Sequence, residues 1–380
     1  MRTPICAWYG LDRDYWEQQA EEQRRREEQE RQKPQPQPPA VPPAPAPSRA
    51  PTDEPKTRAL ASHALVLGRF MPPHAGHQYL VDTARGLAST VTVLARTTPD
   101  DPIDGEHRLA WLRELFGDRI AALTGDAPTD VESPAFWQAW REHVVDALAT
   151  LPSAARVDLV VSSDRRAWRL AELLGARHVL VDPDRTAVPI AATHIRRDPL
   201  GCWAFLPAPV RAHYARRIVL LGPESSGKST FARELARALD TVLVPEQARL
   251  FAERTGTLRA TDLGAIAALQ AATEDAAARR ANRYVICDTD GLSLSLWAER
   301  LFGTAAPHAE RVPDLYLVTD SSLPFTGRPE RDDPAARRAF ADRCLSAALA
   351  SGARVAQLPT DPAARMETAL AAIKALDGSR

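Results

Sequence analysis

The chain has 380 residues, with 48 Lys plus Arg against 49 Asp plus Glu, a formal net charge of -1. That length allows two or three domains, and near-neutrality excludes bulk electrostatic binding of nucleic acid or an acidic membrane while leaving room for a local phosphate pocket. Cys6, Cys202, Cys287 and Cys344 have neither metal-ligand nor redox spacing, which fits a reducing, cytoplasmic location. No run reaches the length of a membrane span, and no basic segment followed by an apolar stretch opens the chain, so neither a membrane anchor nor a secretory signal is expected.

In chain order, residues 14–33 are rich in Glu, Gln and Arg, and after Trp16 their only apolar residue is Ala20. Ten of the 32 prolines follow between Pro34 and Pro55. The composition predicts a solvated charged helix and an extended linker, largely disordered, over 1–60. The rest alternates strand-like and helix-like segments, which predicts α/β architecture in two parallel-sheet domains, over 61–212 and 213–380.

The first strand is read over 63–70 and the first helix over 77–88. Between them stands Gly68-Arg-Phe70-Met-Pro72-Pro-His74-Ala-Gly76-His77. Histidines at a helix N-terminus hold phosphate oxygens together with backbone amides and the dipole, and Gly76 clears the approach. A strand over 90–96, helices over 107–116 and 136–151, and strands over 157–163 and 178–182 follow. Thr193 and Arg196 then open another helix, Thr193 as its cap and a phosphate donor, Arg196 as a fork for phosphate oxygens. Such a site supports nucleotidyl transfer from ATP, in which the protein aligns substrates and stabilises charge without a nucleophile of its own.

A second strand, loop and helix begin at Arg216. Gly222-Pro-Glu224-Ser225-Ser226-Gly227-Lys228-Ser229-Thr230 matches the phosphate-loop pattern G-x-x-x-x-G-K-[ST]. Its amides face the ATP phosphates, Lys228 bridges the β- and γ-phosphates, and the Ser229 hydroxyl ligates Mg²⁺. Strands are read over 241–249, 284–290 and 314–320. Glu246 and Arg249 are placed to face an acceptor, Glu246 taking its hydroxyl proton. Asp288 ends an apolar strand where phosphate-loop enzymes hold their metal, with Asp290 nearby. Arg328 and Arg331, in an arginine-dense stretch after a proline turn, are candidates to close over the transferred phosphoryl group.

Together these motifs resemble the NadR-type bifunctional enzymes, over residues 63 to about 375. Besides the two loops, the matching segments are HVLVDPDR followed by a THIRR helix start, VPEQAR, and ICDTDGLSLSLWAERLFG. The resemblance implies a Rossmann-like nucleotidyltransferase domain followed by a phosphate-loop kinase domain. It implies nicotinamide-nucleotide adenylyltransferase and ribosylnicotinamide kinase activities, with ATP, nicotinamide riboside and nicotinamide mononucleotide (NMN) as substrates and Mg²⁺ as cofactor. It carries ATP phosphate binding onto His74, His77, Thr193 and Arg196, with Gly68, Phe70 and Gly76 in the motif. It carries ATP and metal onto Lys228 and Ser229, the riboside onto Glu246 and Arg249, and metal or acceptor onto Asp288. Asp290, Arg328 and Arg331 are candidate acceptor or lid contacts.

The pattern departs in three places. Ala191 and Ala192 stand where a serine is usual, and Arg328–Pro329 where Asp-Gly is usual. Residues 1–60 lack the helix-turn-helix of some members, so neither DNA nor membrane partners are expected; a homo-oligomer stays open. Two other readings stay open as well: a small-riboside kinase with a degenerate first domain, and a nucleotide sensor acting through the N-terminal segment. Trp137, Trp140 and Trp203 are candidates to stack on a nicotinamide ring, against the plainer reading of core packing.

Overall fold

The computed structural model describes residues 60–124, 130, 132–151, 156–307, 311–323 and 333–378. Apart from Leu60, the charged and proline-rich extension lies outside them, as do Arg328, Pro329 and Arg331. The chain divides between Tyr214 and Ala215 into two compact units.

The first unit holds β1 (Ala61–Gly68), α1 (Ala75–Leu87), β2 (Ala88–Arg96), α2 (Gly105–Phe116), β3 (Ile120–Leu123), α3 (Pro134–Ala149), β4 (Leu159–Ser162), α4 (Trp168–Leu174), β5 (Arg177–Leu180), α5 (Ala192–Arg197) and α6 (Ala208–Tyr214). Its strands run parallel in the order β3-β2-β1-β4-β5. In β1, Ala64 and Val66 pack with Leu80 and Val81 of α1, while Leu65 points into a second cluster with Val144 of α3 and Leu170 of α4. Helices on both faces explain why β1 reads as an apolar run rather than an alternation. Each such Leu or Val contributes roughly 1.5–3 kcal/mol through burial. Trp137 and Trp140 pack against the second of these clusters, and Trp203 is buried.

The second unit holds β6 (Arg216–Leu221), α7 (Lys228–Ala238), β7 (Val242–Val244), α8 (Gln247–Thr255), α9 (Leu263–Ala278), β8 (Tyr284–Asp288), α10 (Gly291–Phe302), β9 (Leu315–Thr319), α11 (Pro334–Ala350), β10 (Arg354–Leu358) and α12 (Pro362–Asp377). This sheet is also parallel, ordered β10-β9-β6-β8-β7. Ile218 and Leu220 of β6 pack on Phe231 and Leu235 of α7 and Ile373 of α12. In both sheets the connections leave the first strand, β1 or β6, toward opposite sides. The crevice at the carboxyl end of that strand is where open α/β sheets bind ligands.

Several boundaries differ from the sequence reading. The first strand ends at Gly68 rather than Phe70, because Phe70 adopts φ 47° and leaves the sheet. The segment read as a strand over 241–249 is β7 over Val242–Val244 only. Pro245 has no N–H to continue the ladder, and α8 starts at Gln247. The strand read over 284–290 stops at Asp288, since Thr289 has φ 74°. β3 and β10 were not anticipated.

Candidate functional site

In the first unit the loop after β1 brings the two histidines together. His74 is the N-cap of α1, and its Nδ1 accepts the Gly76 N–H at 3.1 Å. The His77 ring stacks on it with centroids 3.8 Å apart, and Phe70 lies 4.7 Å from His77. A Cβ on Gly76 would stand 3.0 Å from the His74 ring, and one on Gly68 would stand 3.3 Å from the Phe70 ring. Both glycines therefore hold the stack close. Burial, and secondarily the charge of Arg185, lower the His74 pKa to about 4. Burial pushes His77 well down too, with His74 and Arg185 acting in the same direction. Both imidazoles are thus neutral at pH 7, and His77 Nδ1 is buried without a hydrogen-bond partner among the described residues. An incoming polyphosphate reverses the local sign and favours protonated rings.

The start of α5 reaches this loop. Ile190 lies 3.8 Å from where a Gly76 Cβ would be, and Arg196 Nη1 donates to the Met71 carbonyl at 2.5 Å. Thr193 does not cap the helix as its sequence position suggested. The N-cap is Ala191, which offers no side-chain acceptor, and Thr193 sits exposed in the first turn. Two further residues went unassigned in the sequence. Arg185 belongs to the VDPDR turn that Asp182 ties up by accepting the Thr186, Ala187 and Val188 N–H groups. Buried Arg108 donates to the carbonyls of Arg69 and Arg96, at 2.5 and 2.9 Å, and to Asp101. It ties the loops after β1 and β2 to one another. The VDPDR string was a usable signal for Arg185; for Arg108 there was none.

In the second unit Gly222 has φ 150°, and a Cβ there would stand 2.2 Å from Thr319 Oγ1 and 2.6 Å from its carbonyl. The loop turns against the end of β9 at a distance only glycine permits. Ser225 has φ 55° and Gly227 φ 79°. Ser226 Oγ bonds the Pro223 carbonyl at 2.8 Å and Thr319 Oγ1 at 2.7 Å. Glu224 is half-buried and Thr230 is exposed in the first turn of α7. Arg365, unassigned from the sequence, braces the outside of the loop, donating to the Ser226 carbonyl at 3.3 Å and the Pro359 carbonyl at 2.8 Å.

Lys228 is buried, and its Nζ donates to the Pro223 carbonyl at 2.6 Å. Beside it runs a polar chain. Arg249 Nη1 donates to Ser229 Oγ at 3.0 Å, and Arg249 Nη2 pairs with Glu246 Oε2 at 2.8 Å. Burial raises the Glu246 pKa and lowers that of Lys228; Arg249 opposes the first shift and Glu246 the second. Asp288 is buried and its Oδ1 has no hydrogen-bond partner among the described residues. An orphaned carboxylate oxygen near a lysine and a serine hydroxyl suits a hard cation that keeps waters and phosphates as its other ligands. Asp290 is differently engaged. It caps α10 by accepting the Ser293 N–H at 3.0 Å, and it accepts the Tyr316 hydroxyl at 2.6 Å.

The AAA domain family model matches residues 217–365. The trifunctional NAD biosynthesis/regulator proteins NadR of Escherichia coli (strain K12) and Salmonella typhimurium (strain LT2) are each 28% identical to the chain, over 274 and 279 residues respectively, 66% of it in both cases. A crystal structure of NadR protein in complex with NR superposes with TM-score 0.67 at 20% identity, covering 85% of this chain and 98% of that one. Another, in complex with NAD and AMP-PNP, gives 0.64 over the same shares. The chain is NadR-like. It spans 66% of the length of the two curated NadR relatives. The NadR structures share its arrangement of two parallel-sheet α/β units.

Proposed function

We propose that the chain is a two-site enzyme of NAD biosynthesis, a ribosylnicotinamide kinase joined to a nicotinamide-nucleotide adenylyltransferase. The observation that carries this reading is a phosphate-suited strand-to-helix turn in each of two separate units, the histidine stack after β1 and the glycine loop after β6. Likeness to NadR supports the substrates.

In the kinase unit, Glu246 orients the 5′-hydroxyl of the riboside and takes its proton, a role suited by a carboxylate whose burial raises its basicity. The hydroxyl oxygen bonds to the γ-phosphorus, the bond from that phosphorus to the bridging oxygen breaks, and ADP leaves. Lys228 turns from Pro223 to the phosphates, and Arg249 stabilises the charge of the transferring group. Ser229 and Asp288 would hold Mg²⁺, which when bound offsets phosphate charge.

In the first unit, Arg185 and Arg196 place the ATP phosphates over His74 and His77. An oxygen of the mononucleotide phosphate bonds to the α-phosphorus, the α–β bridge breaks, and pyrophosphate leaves. The imidazoles donate to the departing charge. The uncapped start of α5 at Ala191 favours one competing reading, a kinase whose first unit binds triphosphate too weakly to turn over.

Separate substitutions decide between them. Lys228→Ala is expected to remove kinase turnover by roughly 10²–10³-fold and spare adenylation, and His77→Ala the reverse. A His77→Ala protein that matches wild type in forming dinucleotide from NMN contradicts the two-site reading.

A further inference from the structure

Gln270 is a polar side chain on a buried stripe. Along α9 the inward positions are Leu263, Ile266, Gln270, Glu274 and Ala278, so the stripe turns from apolar to polar halfway. Gln270 is only 4% exposed. A leucine or methionine would fill that volume without the cost of removing an amide from water. The amide is engaged at both ends. Its Oε1 accepts the Gln247 N–H at 3.2 Å, and its Nε2 donates to Glu274 Oε1 at 3.0 Å and to the Thr289 carbonyl at 3.3 Å. A donor facing one end and two acceptors facing the other fix which way the amide points.

These partners lie on the two segments that carry Glu246 and Asp288. Gln247 opens α8, so its N–H is one of the donors that a helix start leaves without an intrahelical partner. Glu246 stands at the cap position, yet its side chain does not cap; it turns to Arg249 at 2.8 Å. Gln270 supplies the acceptor from another helix and leaves the Glu246 carboxylate for other work. Thr289 sits between Asp288 and Asp290 with φ 74°, a conformation that costs a β-branched residue about 1–3 kcal/mol. The bond to its carbonyl ties that turn to α9. One side chain thus spans from the Glu246–Gln247 peptide to the Thr289–Asp290 peptide. The two carboxylates feel one another across this span: after burial, the Asp288 charge also raises the Glu246 pKa.

We propose that Gln270 is a positioning residue for phosphate transfer, an amide clamp that sets Glu246, the acceptor's base, in place against the turn that carries Asp288. The inference deepens the kinase reading and rests on it. The hydrogen bonds of Gln270 among the described residues go to α8, to α9 and to the turn after β8, and none goes to the glycine loop. ATP binding should therefore not depend on it.

The test is steady-state riboside phosphorylation by the full chain, wild type against Gln270→Met, a swap close in volume that removes all three bonds. The kcat should fall roughly 10–10²-fold, the scale set by displacing a reacting group by about 1 Å, while the KM for ATP stays within about twofold. A side chain that only supports the fold would lower kcat by the same factor whatever stands at position 246. Acting through Glu246, Gln270→Met should instead cost less than about threefold in a Glu246→Gln background. Gln270→Glu keeps an acceptor for Gln247 and should show an intermediate loss that is again absent beside Glu246→Gln. It carries the same comparison if Gln270→Met does not fold. A kcat within about twofold of wild type, a loss undiminished beside Glu246→Gln, or a rise in the KM for ATP as large as the fall in kcat overturns the inference and leaves the kinase reading standing. Wild type that forms no NMN from the riboside overturns the kinase reading and the inference with it, and this is seen before any variant is made.

Discussion

Burial of a carboxylate raises its proton affinity, and Glu246 is buried beside the phosphate loop. As the proposed base it acts only when deprotonated. Kinase turnover should therefore fall with decreasing pH along a limb centred above the 4.5 of an ordinary glutamate. Glu246→Gln should lose roughly 10²–10⁴-fold in kcat and the acid limb with it, read from steady-state rates between about pH 5 and 8. An unchanged limb in that variant would place the titrating group elsewhere. His74 has the opposite linkage to folding. Its folded pKa, about 4, lies below the unfolded 6.5, so the folded state holds fewer protons between them. Stability from this group is complete above pH 6.5 and is lost as pH falls toward 4, by about 3 kcal/mol in all. Thermal unfolding across that range should show the loss, and His74→Gln should reduce its slope while leaving the part that His77 contributes. Individual loop residues were legible where the backbone requirement is local, as at Gly222 and Gly227. Arg365 and Arg108 were not, because their partners stand far off in sequence, at Ser226 and Arg69.

At the scale of elements, the strands that begin each unit were the easiest to read. β1 and β6 are covered on both faces, so each shows as an unbroken apolar run followed by a glycine turn. β3 and β10 are edge strands of four and five residues. IAAL is apolar but only four residues long with two alanines of low strand propensity, RVAQL mixes apolar and polar residues, and pairing with Val93–Arg96 and Leu315–Thr319 makes them strands. The apolar start of TVLVPEQAR suggested a longer strand than Pro245 permits. The contact between Gly222 and Thr319 ties the glycine loop to the end of β9. Gly222→Ala places a methyl on the Thr319 hydroxyl and carbonyl while holding φ at 150°. It should destabilise the second unit by about 1–3 kcal/mol and abolish nucleotide binding there, measured by chemical denaturation and by ATP titration. Wild-type ATP affinity in that variant would mean that the loop does not need its close seat on β9.

For the whole molecule, two sheets with different strand orders sit in one chain, each with a phosphate-suited turn at the carboxyl end of its first strand. The parallel architecture was legible because strand-like and helix-like segments alternate along 61–380. The partners of Asp290 were not, since it looks like a free acid in sequence and is held by Ser293 and Tyr316 in the fold. Arg328 and Arg331, read as closing over the phosphoryl group, lie outside the described residues. Both units are proposed to be catalytic and to work in series. The most direct measurement is mass spectrometry of the products formed by the full chain with Mg-ATP and nicotinamide riboside, and in parallel with Mg-ATP and NMN. NAD is expected in both tubes, with NMN as the intermediate in the first. NMN accumulating from the riboside, with no NAD in either tube, would contradict it and leave a kinase with a silent first unit.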